Sequence, residues 1–375
     1  MKNVLSLSLI ALSFGVKGQY IIENVQLFDG HVVYSETSLK IESGIITEIG
    51  NLSRNRDNLV VIDGTGKTII PGLINSHVHA WIPYHLKNAM EGGVYAVLDM
   101  HGPAEQTKSL RKYKLENGYA KFYSAGYAAT VEGGHGTQYG YDVPIINDQF
   151  GPKDFIAKAI KNEADYIKII YEPGLNTLSI KQVTDLVSES HRNNFLAVAH
   201  ISDYEDAKAL KDTQLDGFVH LWKDEIASPQ FLSLLKQNEI FIIPTLSVLE
   251  GVIDYYRENG IEKKILSLTA LLEQIAALHR QGIVLLAGTD PPNVGLDYGW
   301  SLHNELELFV KAGLTPLEAL KTATAHPSKT FSIENIGTIE KGKIANFNLI
   351  DGNPIKEITD SRKIIAQWAN GIKIK

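Results

Sequence analysis

The stretch Pro71-Gly72-Leu73-Ile74-Asn75-Ser76-His77-Val78-His79-Ala80 (PGLINSHVHA) decides the reading of this chain. An apolar run leads straight into two histidines that sit two residues apart. In an extended strand alternate side chains share a face, so His77 and His79 project together from a rigid strand end and both can reach one cation. Imidazole nitrogen is a ligand well suited to zinc. The plainer reading, two exposed loop histidines, is disfavoured by the apolar run that delivers them.

Working outward, further apolar runs end on residues of the same kind: FLAVAH at His200, DGFVH at His220 and VLLAGTD at Asp290. In ADYIKII, Lys168 lies among Tyr166, Ile167, Ile169 and Ile170. Burial penalises an ammonium, so a neutral amine is expected there. A neutral amine can take up carbon dioxide, and the two oxygens of the resulting carbamate can bridge two cations. Taken singly, His200 and His220 read as core histidines, Asp290 as a helix cap and Lys168 as a snorkelling lysine. Placed together at the ends of successive apolar runs, they read as one site.

Strand-like runs near 68–75, 94–100, 120–127, 165–170, 195–200, 216–220, 240–245 and 283–289 alternate with helical patterns such as 154–162, 180–193, 203–212, 228–237, 262–281 and 300–312. That alternation predicts an α/β fold, a (β/α)8 TIM-type barrel over residues 68–335. The site of such a barrel lies at the C-terminal ends of its strands, where all six candidate ligands stand. Residues 19–67 and 336–375 alternate in short runs between Gly and Asp turns, and neither piece is long enough for a core of its own. They are expected to pair as a small composite β-sandwich domain beside the barrel.

The order HxH, Lys, His, His, Asp, with the phrases PGLINSHVH, GGHG, ADYIKI, AGTD, LHNELELFVKAGLTPLEALKTAT and GTIEKGKIANF, resembles the amidohydrolase superfamily over about residues 20–375. The wording is closest to its imidazolonepropionase-like branch, which includes metal-dependent dipeptidases and prolidases. The resemblance implies two divalent metal ions, with zinc expected. His77, His79 and Asp290 would hold the first ion and His200 and His220 the second, bridged by carboxylated Lys168 and a water-derived hydroxide. Asp290 would also shuttle the proton. His135 in GGHG matches a family motif and is the candidate for stabilising the oxyanion or holding substrate. Tyr139 and Trp222 are further candidate substrate contacts, Trp222 as an apolar wall. The family commonly has glutamate before and glycine after the residue matching His220, where this chain has Val219 and Leu221, so the resemblance does not by itself assign dipeptidase specificity.

The activity implied is hydrolysis of an amide-type C–N bond in a small peptide, an N-acyl amino acid or a cyclic amide. Ester, lactone or carbamate hydrolysis is the alternative. A non-catalytic binding relative is expected to have lost ligands, and here the set is complete. The remaining histidines, His85, His101, His191, His279, His303 and His326, read as structural or surface residues, with His303 nearest the barrel mouth.

Composition sets outer bounds. The 375 residues are 44% hydrophobic with a formal net charge of −7, enough apolar content for a large core and too little clustered Lys and Arg for a nucleic-acid partner. A small-molecule substrate is the expected partner, with homo-oligomerisation left open. Met1-Lys2, the apolar VLSLSLIALSFGV and Lys17-Gly18 predict a signal peptide over residues 1–18. The chain has no Cys and hence neither a lipoprotein anchor nor a disulfide. Export to a bacterial periplasm or the medium is expected, without membrane association once the signal is removed.

Overall fold

The computed structural model describes residues 19–52 and 59–375, so the leader expected at residues 1–18 lies outside the described residues. In chain order the strands are β1 (Tyr20–Phe28), β2 (Val33–Glu42), β3 (Ile45–Ile49), β4 (Val60–Asp63), β5 (Thr68–Pro71), β6 (Leu73–Val78), β7 (Val94–Asp99), β8 (Lys121–Ser124), β9 (Ile167–Ile170), β10 (Ala197–His200), β11 (Gly217–Val219), β12 (Phe241–Ile243), β13 (Phe347–Ile350), β14 (Ile364–Ala369) and β15 (Ile372–Lys373).

β6, β7 and β8 form one parallel arc, and β9 to β12 another. β6, β7 and β9 are buried along their whole length, as parallel strands are when helices cover one face and the interior of the ring the other. The covering helices follow the same logic. Ile180–Arg192 starts at a capping box between Ser179 and Gln182 and buries Val183, Leu186, Val187 and Ser190, one stripe of a helix.

Hydrogen bonds stitch the two arcs together. On one side Asp165 N donates to Ser124 O (2.9 Å), Ala129 N to Lys168 O (2.8 Å) and Ile170 N to Ala129 O (3.0 Å). On the other, residues 284–290 stand in the eighth place. Ile242 N donates to Val284 O and Leu286 N to Ile242 O, both at 3.0 Å, while Ser76 N donates to Ala287 O and Asp290 N to His77 O, both at 2.8 Å. The fold is α/β of the TIM-barrel type. The expected strand at 283–289 is therefore a bonded connection and not a regular ladder. At Gly288 an added Cβ would stand 2.9 Å from His77 N, closer than side chains allow, and Asp290 turns the backbone out of extension at φ 57°.

Both chain ends share one sheet, in the order β15-β14-β13-β5-β1-β2-β3, with β4 also paired to β1. The strands follow one continuous path of pairing, and the sandwich of two sheets expected from the sequence is not confirmed. Ile46 N donates to Lys343 O and Ala345 N to Gly44 O, so β3 meets the stretch just before β13 and the sheet bends round its own core. That core includes Ile22, Leu27, Ile41, Ile69, Phe347 and Trp368. The sheet also takes in Thr68–Pro71, which the sequence reading assigns to the first barrel strand. Gly72 marks the change of partner, because a Cβ there would strike the Tyr95 ring. Among the described residues, no helix is long and apolar enough to cross a membrane.

Candidate metal centre

His77 comes from β6 and His79 from just beyond it, Lys168 from β9, His200 from the end of β10, His220 from just after β11, and Asp290 from the eighth segment. All six line one cavity of about 280 Å³, together with His135, Tyr139 and five further residues. The local chemistry of β6 ties the first ligands to the last. Buried Asn75 donates to Thr289 Oγ1 (2.7 Å) and its Oδ1 accepts from Thr289 N (3.2 Å), while His79 N donates to Pro291 O (3.0 Å). His220 and Asp290 both adopt left-handed backbone, with φ of 74° and 57°, which non-glycine residues occupy at a cost and which concentrates at functional sites. Thr245 Oγ1 lies 2.7 Å from His220 Nδ1 and so orients the ring with Nε2 free for the cavity.

Asp290 Oδ1 lies 3.2 Å from Nε2 of both His77 and His79, and those two nitrogens are 3.4 Å apart. The His220 ring centroid is 4.8 Å from that of His77 and 4.7 Å from that of His200. Asp290 Oδ1 and His200 Nε2 are fully buried and neither makes a hydrogen bond, so Asp290 meets the two imidazoles through charge and proximity alone. Converging buried lone pairs are unfavourable unless a cation sits among them. His77, His220 and Asp290 bring ligand atoms within 4.8 Å of one another, as do His135, Glu172 and His200. The donor set fits divalent metal.

Ionisation agrees. Burial holds the imidazoles of His77 and His200 well below their usual range and that of His220 at about 3, so each offers a lone pair at neutral pH. Burial also lowers His79, but the Asp290 carboxylate beside it more than compensates and leaves it raised. For Asp290 burial acts upward, and the contact with His79 outweighs it and leaves the carboxyl below its ordinary value. Burial brings Lys168 down to about 7, where a substantial share of amine is neutral.

His135 stands in the loop after β8 with its Nδ1 2.5 Å from Glu172 Oε2, and its ring meets that of His200 edge-on at 4.6 Å between centroids. Tyr139 lines the outer wall, 41% exposed. Trp222 is a correction. Its side chain is fully buried against Tyr204 and Phe231 and takes no part in lining the cavity, because the chain after His220 turns into the helical layer.

Sequence reading also passed over groups that the structure brings to the site. His101, expected to be structural or on the surface, lines the cavity. Its Nδ1 accepts from Ala128 N (2.8 Å) and its Nε2 donates to Gly136 O (3.0 Å), which pins the GGHG loop. Asp99 is buried, accepts from Ala80 N (2.9 Å) and Ser124 Oγ (2.8 Å), and is pushed up by burial to about 6. Asp99, His101 and Glu172 each stand at or just past a strand's C-terminal end, the same criterion that singled out the six candidate ligands.

Strand ends that present histidines, a lysine and an aspartate to one small cavity form a candidate metal centre in a TIM-type barrel. The chain belongs to the amidohydrolase family, whose sequence profile matches residues 68–373. It is 24% identical over 368 aligned residues to the 5'-deoxyadenosine deaminase of Methanosarcina acetivorans, covering 83% of this chain and 78% of that one. To the enamidase of Eubacterium barkeri it is 23% identical, covering 88% and 86%. Among solved structures, a Xaa-Pro dipeptidase with methionine in its active site superposes with a TM-score of 0.79 at 22% identity, over 96% of this chain and 100% of its own. The protein is thus an enzyme, a hydrolase of carbon–nitrogen bonds, in a family that generally uses divalent metals.

Proposed function

We propose that this enzyme hydrolyses an amide-type C–N bond of a small substrate: a short peptide, an N-acyl amino acid or a cyclic amide. The observation that carries the reading is the convergence of orphaned buried donor atoms at Asp290 and His200. His77, His79 and Asp290 would hold one ion, and His200 and His220 a second, with Lys168 as its carbamate between them and zinc as the metal expected. Such ions, when bound, polarise a carbonyl and bring the pKa of water toward neutrality. Asp290 then accepts the proton released as water adds to the carbonyl carbon. It returns that proton to the departing nitrogen, so the C–N bond breaks to give an acid and an amine. His135 faces the carbonyl oxygen from outside the ligand set, and Tyr139 contacts the rest of the substrate.

In the remaining wall Gln138, Asn293, Tyr139, Met100 and Ile170 offer amides, a phenol and apolar surface, and no arginine stands among the described lining residues. An ester, lactone or carbamate presents the same carbonyl to the same groups. Hydrolysis measured on metal-loaded enzyme across dipeptides, N-acyl amino acids, cyclic imides and lactones separates these classes. Amide turnover is expected, and turnover confined to esters and lactones would overturn the reading. Export belongs to the same proposal: N-terminal sequencing of protein recovered from outside the cytoplasm should begin after residue 18.

A further inference from the structure

The geometry points to Glu172 as the positioning residue of His135. Glu172 is not among the cavity-lining residues; its Oε2 stands 2.5 Å from His135 Nδ1 and 3.7 Å from His200 Nε2, so His135 is the nearer partner. Its own place is fixed at three points. Ser202 Oγ donates to Oε1 (3.2 Å), Glu172 N donates to Thr177 Oγ1 (2.9 Å), and the segment that follows is bridged to the His135 loop through Gly134 and Asn176. The His135 loop is held independently, by Thr130 Oγ1 donating to His135 O (2.8 Å) and by His101 on Gly136 O.

A histidine that steadies a carbonyl oxygen must donate from the nitrogen that faces the substrate. A carboxylate on Nδ1 claims that edge as a donor and fixes the ring plane. It leaves Nε2 as the edge presented to the cavity and balances the ring's charge when Nε2–H is donated. Glu172 therefore acts through His135 and touches no substrate. The proposal rests on His135 having the role given to it above. Its rival on the same atoms is a metal ligand, because His135, Glu172 and His200 bring ligand atoms within 4.8 Å of one another.

The test is a double-mutant cycle on metal-loaded enzyme, assayed with the best substrate of the panel, with elemental analysis of every preparation. Glu172→Gln should keep the wild-type metal content and lower kcat by about 10–100-fold, the loss typical when a partner orienting a functional histidine is removed. KM should stay within about twofold, and in a His135→Ala background the same change should cost nothing further. Lost metal, a KM effect without a kcat effect, or additive losses in the double variant would each overturn the assignment. If Glu172→Gln does not fold, Glu172→Asp withdraws the carboxylate from Nδ1 by one methylene and is read the same way. A readout without turnover keeps this apart from the hydrolase reading. The 15N resonances of His135, assigned by loss in His135→Gln, should show a protonated Nδ1 in wild type, and a bare Nδ1 refutes the pairing even if no substrate is found.

Discussion

Around the helix Trp300–Lys311, His303 and Glu305 are as deeply buried as His77 and Asp290 at the strand ends, yet the two clusters treat their polar atoms differently. Glu305 accepts from Leu246 N, Ser247 N and Ser247 Oγ at 2.7–2.8 Å, and so closes the N-terminus of the helix Leu246–Glu258. His303 Nδ1 meets Ser361 Oγ at 2.7 Å and its Nε2 donates to Gly92 O at 2.9 Å. At the strand ends, Asp290 Oδ1 and His200 Nε2 have no such partner. Burial and displaced ionisation mark both clusters, with His303 at about 4 and His220 at about 3, so neither property separates them. Satisfaction does. A saturated buried network holds structure together, whereas a convergent unsaturated one is arranged for a ligand.

The comparison breaks outright if metal proves dispensable. Purified protein should carry close to two divalent ions per chain, and chelation should abolish activity. Elemental analysis without metal after zinc or manganese supplementation would place the strand-end cluster with the structural one. Lys168→Ala should lose both metal and activity, with partial recovery in short carboxylic acids and bicarbonate; unchanged metal content and rate would make Lys168 an ordinary buried amine. Asp290→Asn is nearly isosteric and keeps an oxygen for the metal while losing the base. Its rate should fall by at least ~100-fold, the lower end for a positioned acid–base group, and its metal content by less. Strict proportionality between the two losses would leave Asp290 as a ligand alone.

The six candidate ligands were legible in the sequence because each ends an apolar run or, as Lys168 does, lies within one, and a strand end in an α/β barrel is a fixed address. Glu172 and His101 were not, since each stands a residue or two beyond its strand and no run points at it, although both meet the looser strand-end rule. The eighth segment was legible as a strand and folded as something less regular, because Gly288 and the left-handed Asp290 break the ladder that its apolar pattern suggests. The end sheet shows the other limit. Alternation reveals which residues face a core, as Ile22, Leu39 and Phe347 do, but not whether the strands form two sheets or one curled upon itself.

On the saturated side the expected effect falls on stability and leaves metal content alone. Burial pushes Glu305 from its ordinary 4.5 up to about 7, despite its donors. Below about pH 4.5 the carboxyl is protonated in folded and unfolded chains alike. As pH rises toward 7 the unfolded chain gives up its proton first, so wild type should lose stability relative to Glu305→Gln across that window. Melting temperatures of the two proteins against pH test this. The opposite slope would mean that the three donors, and not burial, set the ionisation of Glu305.

The smallest effects come from a pair of aromatic residues that the sequence placed together and the structure sets apart. Trp222 is sealed in the helical layer beside Tyr204 and Phe231, and its Nε1 has no hydrogen-bond partner to lose. Trp222→Phe should therefore act through packing alone, at about 1–2 kcal/mol of stability, less than the ~3–5 of a Trp→Ala truncation because phenylalanine refills most of the volume. KM should not move. Tyr139, half-exposed on the cavity wall, should behave in the opposite way, with Tyr139→Ala raising KM several-fold and leaving the melting temperature nearly unchanged, as expected of a contact that binds substrate and transition state alike. Measured on the same substrate, the two variants form a cross. If instead Trp222→Phe raises KM at constant stability, the helical layer moves far enough to admit substrate, and Trp222 belongs with the cavity wall.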